Sequence, residues 1–536
     1  MSKARNRWIG LVFISMAISL VIIDGTIVNT IFPSVIADLN LSSTEVQWVQ
    51  ESYVLVFAST LLVWGSLADK VGRRLVLLVG IAIFIAASVW AGYSDSASSM
   101  ILARVVQGVG GAMVLPTTLS LVNANFQGKE RGIAFGIWGA TIGGMVAVGP
   151  VLGGWFATDF TWRWAFLINF PLGIIILAGL LWFIRESKAE FQQKGTDWVG
   201  AALSVVMFGT LVFGLIEGRV YGWFTPNPKN SFEIGSFVWP SDGISVIPIA
   251  LGIALVFTVL FVLWERAREK ANKSVLLDLK LFGIASFRNG SVAAMIISLG
   301  EFGLLFAIPL WLQNVLGLSP ISSGLVLLWL AGGAFLASGI GGALSGKLPP
   351  ARAVQIGVGL ELVGVAGIGL LASTDLGWVP LAPLLLIYGI GIGLATAQLT
   401  GVIMVDVPMQ QIGQASGSQS TVRQVGSALG IAVLGTMLFT GTGNAFDAKL
   451  DSYALPEQQQ SVIVDAVVDS AGGAIPGLSE GLQAQQVPAN IADEIQLLAG
   501  EAFTDGTRQA AVAAGLFLLL GFASTFRLGA KAKQAS

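Results

Sequence analysis

Fourteen apolar stretches, each long enough to cross a bilayer as a helix, set the limits on what this chain can become. They lie near 9–32, 48–68, 75–93, 100–123, 132–157, 164–184, 197–216, 244–264, 289–312, 320–344, 353–372, 378–405, 416–440 and 508–527. A spanning helix needs roughly 20 apolar residues, and short polar joints separate most of these. Charged residues make up 11% of the chain against 54% hydrophobic, where a soluble domain carries about 25% charged. The sequence is that of an all-α membrane protein. The first apolar run continues to about Phe32 with no small-residue cleavage site before a polar domain, so it reads as a span and not as a signal peptide.

The chain has no Cys and no His. Disulfides, thiol catalysis, haem and Cys/His zinc sites are therefore excluded, and the usual proton shuttle near neutral pH is missing. Proton chemistry must fall to Asp or Glu. The net charge of −2 and the lack of a basic stripe give no support to nucleic-acid binding. Gly341 to Leu348 mimics a phosphate loop but lacks the closing Ser/Thr and a preceding strand. Gly108 and Gly110 lie inside a span. No cofactor and no metal is expected, and no enzymatic cluster is found in a loop.

Positive charge sets the orientation. With the N-terminus inside, inside segments hold 22 of the 29 bases, outside segments five, and Arg104 and Arg423 sit within spans. Both termini are then cytoplasmic. The joint Gly65–Arg74, with Lys70, Arg73 and Arg74, is cytoplasmic as well. Residues 441–507 form a long outside loop with ten acids and one Lys. Gln458–Asp469 and Ile491–Phe503 within it have helical apolar spacing. The loop reads either as a solvated cap or as a lid over the outer mouth.

Ionisable residues inside spans are costly and usually functional. The candidates are Asp24, Glu51, Arg104, Glu301, Glu361, Asp406 and Arg423. Asp24 lies about 12 Å from the outer end of its span at helical rise, and Glu51 and Arg104 lie about 7 Å deep. Either Asp24 or Glu51 is placed to pair with Arg104. Such a carboxylate either locks the bundle statically or loads and releases a proton as its surroundings change. Asp406 and Arg423 read as a mutual pair nearer the cytoplasm. Aromatics including Trp64, Trp138, Phe302, Phe306 and Trp329 offer apolar and cation–π surface.

A weak repeat crosses the chain. Gly65-Ser-Leu-Ala-Asp-Lys-Val has an echo at Gly342-Ala-Leu-Ser-Gly-Lys-Leu, 277 residues on, and Pro33 and Leu41-Ser42 have counterparts at Pro309 and Leu318-Ser319. Internal repeats mark transporter folds with a site between the halves. The simplest division is six spans over 1–190, a two-span insert over 191–285, and six spans over 286–536. The same offset carries Asp24 onto Glu301. A one-residue slip in the repeat would instead turn Glu301 by about 100° into its bundle.

With these motifs the chain resembles the fourteen-span drug:proton antiporter branch of the major facilitator superfamily, over nearly its whole length. Gly65 to Arg74 resembles the family's joint between spans 2 and 3. Arg104-Val-Val-Gln-Gly-Val-Gly-Gly resembles its span 4 motif, and Gly149-Pro-Val-Leu-Gly-Gly its span 5 antiporter motif. Asp24-Gly-Thr-Ile-Val-Asn and Trp162-Arg-Trp-Ala-Phe-Leu-Ile-Asn-Phe-Pro-Leu-Gly resemble stretches of the fourteen-span branch. Met145 stands where the antiporter motif commonly has another glycine.

The resemblance implies a major facilitator fold of two six-helix bundles plus a two-helix insert. It implies a proton-coupled antiporter, acting as a monomer in a bacterial cytoplasmic membrane, that exports hydrophobic, cationic drugs or dyes. Export of a lipid or endogenous metabolite is the alternative, and an uptake symporter fits less well. Asp24, Glu301, Arg104 and Glu51 are the expected proton and substrate groups, Asp24 and Glu301 facing one cavity from opposite walls. Glu361 falls on a helix that is peripheral in this fold and ranks below Glu301. Gly65, Asp69, Gly72, Arg73 and Arg74 form the expected gating joint, and Gly149, Pro150, Gly153 and Gly154 the packed hinge. Asp69 is an acid among bases, favourable only beside positive charge such as a helix N-terminus. The resemblance places the start of span 13, near Ser416, there.

Overall fold

A computed structural model describes residues 3–39, 41, 43–188, 197–228, 230–234, 237–344, 348–375, 377–408, 411–453 and 456–528. The chain begins with α1 Lys3–Leu39, α2 Ser43–Val71, α3 Arg73–Gly92, α4 Ala97–Asn125, α5 Gly128–Asp159, α6 Trp164–Leu167 and α7 Asn169–Phe183. Two helices follow, α8 Trp198–Tyr221 and α9 Val246–Lys270. A two-residue hairpin between them pairs β1 Glu233–Ile234 with β2 Phe237–Val238, Glu233 opposite Val238. The remainder is α10 Ala285–Asn314, α11 Pro320–Leu344, α12 Pro350–Leu371, α13 Leu381–Met404, α14 Ile412–Leu450, α15 Glu457–Asp469, α16 Leu478–Ala484 and α17 Ala489–Thr525.

Among the described residues, thirteen helical stretches are long and apolar enough to cross a membrane. The remaining expected segment, 132–157, lies in α5, a 32-residue helix. The fourteen-span reading is compatible with this arrangement. Several helices overrun their apolar cores. α1 continues through position 33 to Leu39, α14 reaches Leu450, and α17 starts at Ala489. Hydropathy marks where lipid stops, and backbone hydrogen bonding continues beyond it.

Helices α1 to α7 pack on one another, as do α10 to α14 with α17. The two bundles meet along α5 against α11 and α13, and along α2 against α14. α8 lies on α2 and α14, with α9 on its outer side. The long loop is helical where its periodicity expects it. α15 and α17 bury Ile463, Val467, Ile495, Ala499 and Phe503, joined by Ile475, Leu478 and Leu482, and these side chains continue the apolar core of the helices below them. The second loop motif, 342–348, lies in part outside the described residues.

Candidate functional site

The deepest polar site is in the first bundle. Asp24 on α1 and Arg104 on α4 are both fully buried, and Arg104 Nη1 donates to Asp24 Oδ2 at 2.6 Å. The other carboxylate oxygen, Oδ1, accepts from Gln107 Nε2 at 2.8 Å and from Asn169 Nδ2 at 3.0 Å. Both amides also donate to Ser88 Oγ, at 3.0 and 2.7 Å. The Arg104 guanidinium lies 4.3 Å from the centre of the Tyr53 ring and donates to Gln107 Oε1 and the Val49 carbonyl. Residues of five helices thus form one network, in which α4 and α7 donate directly to the carboxylate. Such an arrangement satisfies both oxygens of the buried carboxylate, as burial of a charge requires, since a buried charge is tolerated only when paired and hydrogen-bonded. Removing one partner of a buried pair costs about 3–5 kcal/mol. Of the two acids able to reach Arg104 by depth, Asp24 takes it. The Glu51 side chain lies outside the described residues.

Directly along α1 from Asp24, α5 comes close. A Cβ on Gly149 would lie 2.9 Å from the Ile27 nitrogen and inside Thr26, and one on Gly153 would lie 2.8 Å from the Ile27 carbonyl. Gly149 and Gly153 therefore form a seam within the first bundle. Gly154 is rotated about 100° from Gly153 and faces the other way. A Cβ there would lie 2.7 Å from Ile321 Cγ1 of α11, and one on Gly324 of α11 would lie 2.7 Å from Val151 Cγ2. One motif thus makes two contacts, one inside a bundle and one between bundles. The Pro150 side chain is not among those described.

The charged joint departs from the expected loop. α2 runs to Val71 and α3 starts at Arg73, so the break is Gly72 alone. Its φ of +135° suits glycine, and a Cβ would meet the Glu186 carboxylate at 2.6 Å. Glu186 accepts from the Arg74 and Leu75 amides at 3.0 Å. Asp69 and Arg73 are buried and bonded to each other at 2.7 and 2.9 Å. Arg74 donates to the Leu181 carbonyl at 2.7 Å. Gly417 of α14 sits on Gly65, with a Cβ position 3.4 Å from Gly65 Cα and 3.3 Å from the Leu61 carbonyl. α2 and α14 run in opposite directions here. One turn from Gly65 to Asp69 is matched by one turn from Gly417 back to the start of α14. Beside the joint, Lys70 Nζ donates to Ser274 Oγ. The same short segment reaches α14, because Asp278 accepts from Gln411 Nε2 and its amide donates to Gln414 Oε1 at 3.2 Å.

In the second bundle Glu301 on α10 is buried, with Arg423 of α14 3.9 Å from Oε2. Arg423 thus faces Glu301, and the expected pairing with Asp406 does not form, since the Asp406 side chain is exposed. Glu301 and Arg423 border two small cavities. One, of about 10 Å³, lies within the bundle and is also lined by Ser298, Thr396, Thr400 and Gln419. The other, of about 20 Å³, reaches Gly139 and Ile142 of α5 and so lies between the bundles. Phe302 borders it. Drug-sized ligands need cavities of roughly 300–1,000 Å³, so the bundles must separate to admit one.

The sequence model described as Major Facilitator Superfamily matches residues 14–431 of the chain. The chain belongs to the major facilitator superfamily. It is 30% identical to the tetracenomycin C resistance and export protein of Streptomyces glaucescens, over 96% of this chain and 92% of that protein. It is 29% identical to multidrug resistance protein Stp of Mycobacterium tuberculosis, over 88% and 84% of the two chains. Among solved structures, the human organic anion transporter MFSD10 shares the fold with a TM-score of 0.58 at 12% identity, covering 97% of this chain and 99% of that one.

As a major facilitator protein the chain is a multi-pass membrane transporter and not an enzyme. Its two acids at repeat-related positions do not face one cavity here. Asp24 turns into the core of the first bundle, towards α3, α4 and α7, whereas Glu301 borders the space between bundles. The reason is local: amides from Gln107 and Asn169 draw Asp24 inward, whereas among the described residues no amide side chain bonds the Glu301 carboxylate. Trp329 is 46% exposed on the outside of the bundle, and Trp138 is buried against Thr118, so neither borders the central space. Gln107, Asn169, Tyr53 and Ser88 were not singled out from the sequence, although Gln107 and Asn169 lie inside motifs that were. At the end opposite the joint, a cavity of about 620 Å³ opens between α8, α14 and α15. It is lined in part by Asn227, Asn444, Asp447, Asp465 and Asp469.

Proposed function

We propose that this transporter is a proton-coupled antiporter that exports hydrophobic, cationic drugs or dyes across a bacterial cytoplasmic membrane by alternating access, with both termini cytoplasmic. The observation that carries the reading is Asp24, a fully buried carboxylate held by Arg104, Gln107 and Asn169 beside the α1–α5 seam. With no His in the chain, Asp24 is the group suited to take a proton when the seam moves and the amides shift away. Protonation would remove the charge that Arg104 holds and free α1 to move relative to α4. The names of the export and resistance relatives favour drug efflux over uptake.

The division into bundles 1–190 and 286–536 around the insert 191–285 follows the packing of α1–α7, α10–α17 and α8–α9. The joint acts as a latch. Asp69, oriented by Arg73, meets the first turn of α14, where free N–H groups and the helix dipole favour an acid, and the contact exists only while that end is closed. Glu301 with Arg423 and Phe302 forms the cation-recognising wall. Dye accumulation in inverted vesicles tests the reading. Accumulation should require an acidic interior and collapse when the gradient is removed. Accumulation that ignores the gradient would exclude proton coupling.

A further inference from the structure

Glu361 lies at the middle of α12 with no solvent exposure. Neither carboxylate oxygen has a hydrogen-bond partner among the described residues. It points between α12 and α13, not outwards. A Cβ on Gly391 of α13 would stand 2.6 Å from Glu361 Cγ, so that glycine makes the space the side chain fills. The neighbouring Tyr388 is equally buried and spends its hydroxyl on the Glu301 carbonyl at 3.0 Å. Tyr388, packed on Gly364 of α12, thereby ties Glu301 of α10 and the Arg423 that faces it at 3.9 Å to the α12–α13 gap that holds Glu361. α17 also packs on α12, and its Arg508 is tied to the Ala372 carbonyl past the end of that helix.

Leaving an ionised carboxylate in such a place with no donor is far costlier than leaving a neutral acid. The charges therefore settle in one way. Arg423 is positive, one carboxylate balances it, and the other carries a proton. Glu301 holds the place nearer Arg423, so the proton rests on Glu361.

We propose that Glu361 and Glu301 share a single exchangeable proton opposite Arg423, and that a cationic substrate arriving beside Glu301 displaces it. This deepens the antiport reading and rests on it. The step conserves charge. Glu361 gives its proton to Glu301, leaving Glu361 as the carboxylate and Glu301 neutral. Glu301 then releases the proton towards the cavity between the bundles, and the cation takes the Glu301 carboxylate, leaving Arg423 as the countercharge for Glu361. The cavity within the bundle has room for one water, lined by hydroxyls of Ser298, Thr396 and Thr400, which suits a relay. The second bundle would thus exchange a proton independently of Asp24.

Infrared difference spectroscopy of the full chain in lipid tests this without transport. At neutral pH the wild type should show the carbonyl stretch of one buried protonated carboxylic acid. Glu361→Gln should lose that band, Glu361→Asp should keep it, and Asp24→Asn should leave it in place. Thermal unfolding of each variant checks that the fold is retained. Adding ethidium, a monovalent cation, should remove the wild-type band and release one proton into weakly buffered medium, while Glu361→Gln should release one fewer proton than wild type. A band that persists in folded Glu361→Gln, or a wild type without one, overturns the shared proton. A band that ethidium leaves unchanged overturns the displacement. Gradient-independent dye accumulation in vesicles would instead overturn the antiport reading, so the two failures are separable.

Discussion

Gly154→Ala should change which conformation the protein occupies more than how stably it folds. The added methyl would stand 2.7 Å from Ile321 Cγ1 and 3.2 Å from the Ile321 nitrogen. Ordinary carbon–carbon contact is roughly 3.5–4.0 Å, so the overlap is about 1 Å. Ile321 is β-branched and stiff at χ1, and its nitrogen is backbone in the first turn of α11. Neither can swing aside, so α5 and α11 must part at this end. Overpacking of this kind costs about 1–3 kcal/mol. Because the contact joins two bundles, that cost falls only on states in which they touch there, shifting the equilibrium about 5–150-fold towards opening at the end we assign as outer. Spin labels on the outer ends of α5 and α11 in nanodiscs would read the change as a longer-distance population. Gly149→Ala is the control. Its methyl would collide with Thr26 and Ile27 inside one bundle, so it should lower thermal stability and leave the distance distribution in place. An unchanged distribution in Gly154→Ala, or the same shift in both variants, would refute the division of the motif into two contacts.

Asp69→Asn should keep the fold, cut transport at least tenfold, and lower crosslinking between the joint and the first turn of α14; unchanged crosslinking would sink the latch. Asp278→Ala removes the acceptor for Gln411 and should loosen the same end, read as faster alkylation of a cysteine placed at Gly417; equal rates would make the segment a passive linker. Glu301→Gln should weaken ethidium transport while sparing a neutral dye, and equal loss of both would count against charge recognition.

Much of the fold was legible because lipid imposes one coarse rule, that backbone polar groups pair within the segment. That rule gives spans from hydropathy, and it is silent on helix that continues into water, as α1, α14 and α17 do. The first-bundle pair was legible by depth, since Asp24 and Arg104 approach one level on adjoining spans. The amides that complete it were not, because Gln107 and Asn169 carry no charge to mark them as costly. Glu361 was legible as an ionisable residue, but its surroundings were not. Its helix is peripheral, but the side chain points inward through the gap at Gly391, and that direction is a matter of rotation. Arg423 was assigned to Asp406 on depth alone, whereas its place on α14 turns it towards Glu301.

The central claim is that the charge on Asp24 is exchanged for a proton during each export cycle. Proteoliposomes holding the full chain and a trapped pH indicator test it most directly when ethidium is added to drive exchange. The wild type should move protons opposite to the dye. Asp24→Asn should lower that counterflow by the share Asp24 carries, leaving only the proton exchanged in the second bundle, while still allowing downhill dye exchange, since the amide mimics the protonated acid. Dye movement in the wild type with no opposing proton flux, or normal counterflow in Asp24→Asn, would contradict the account.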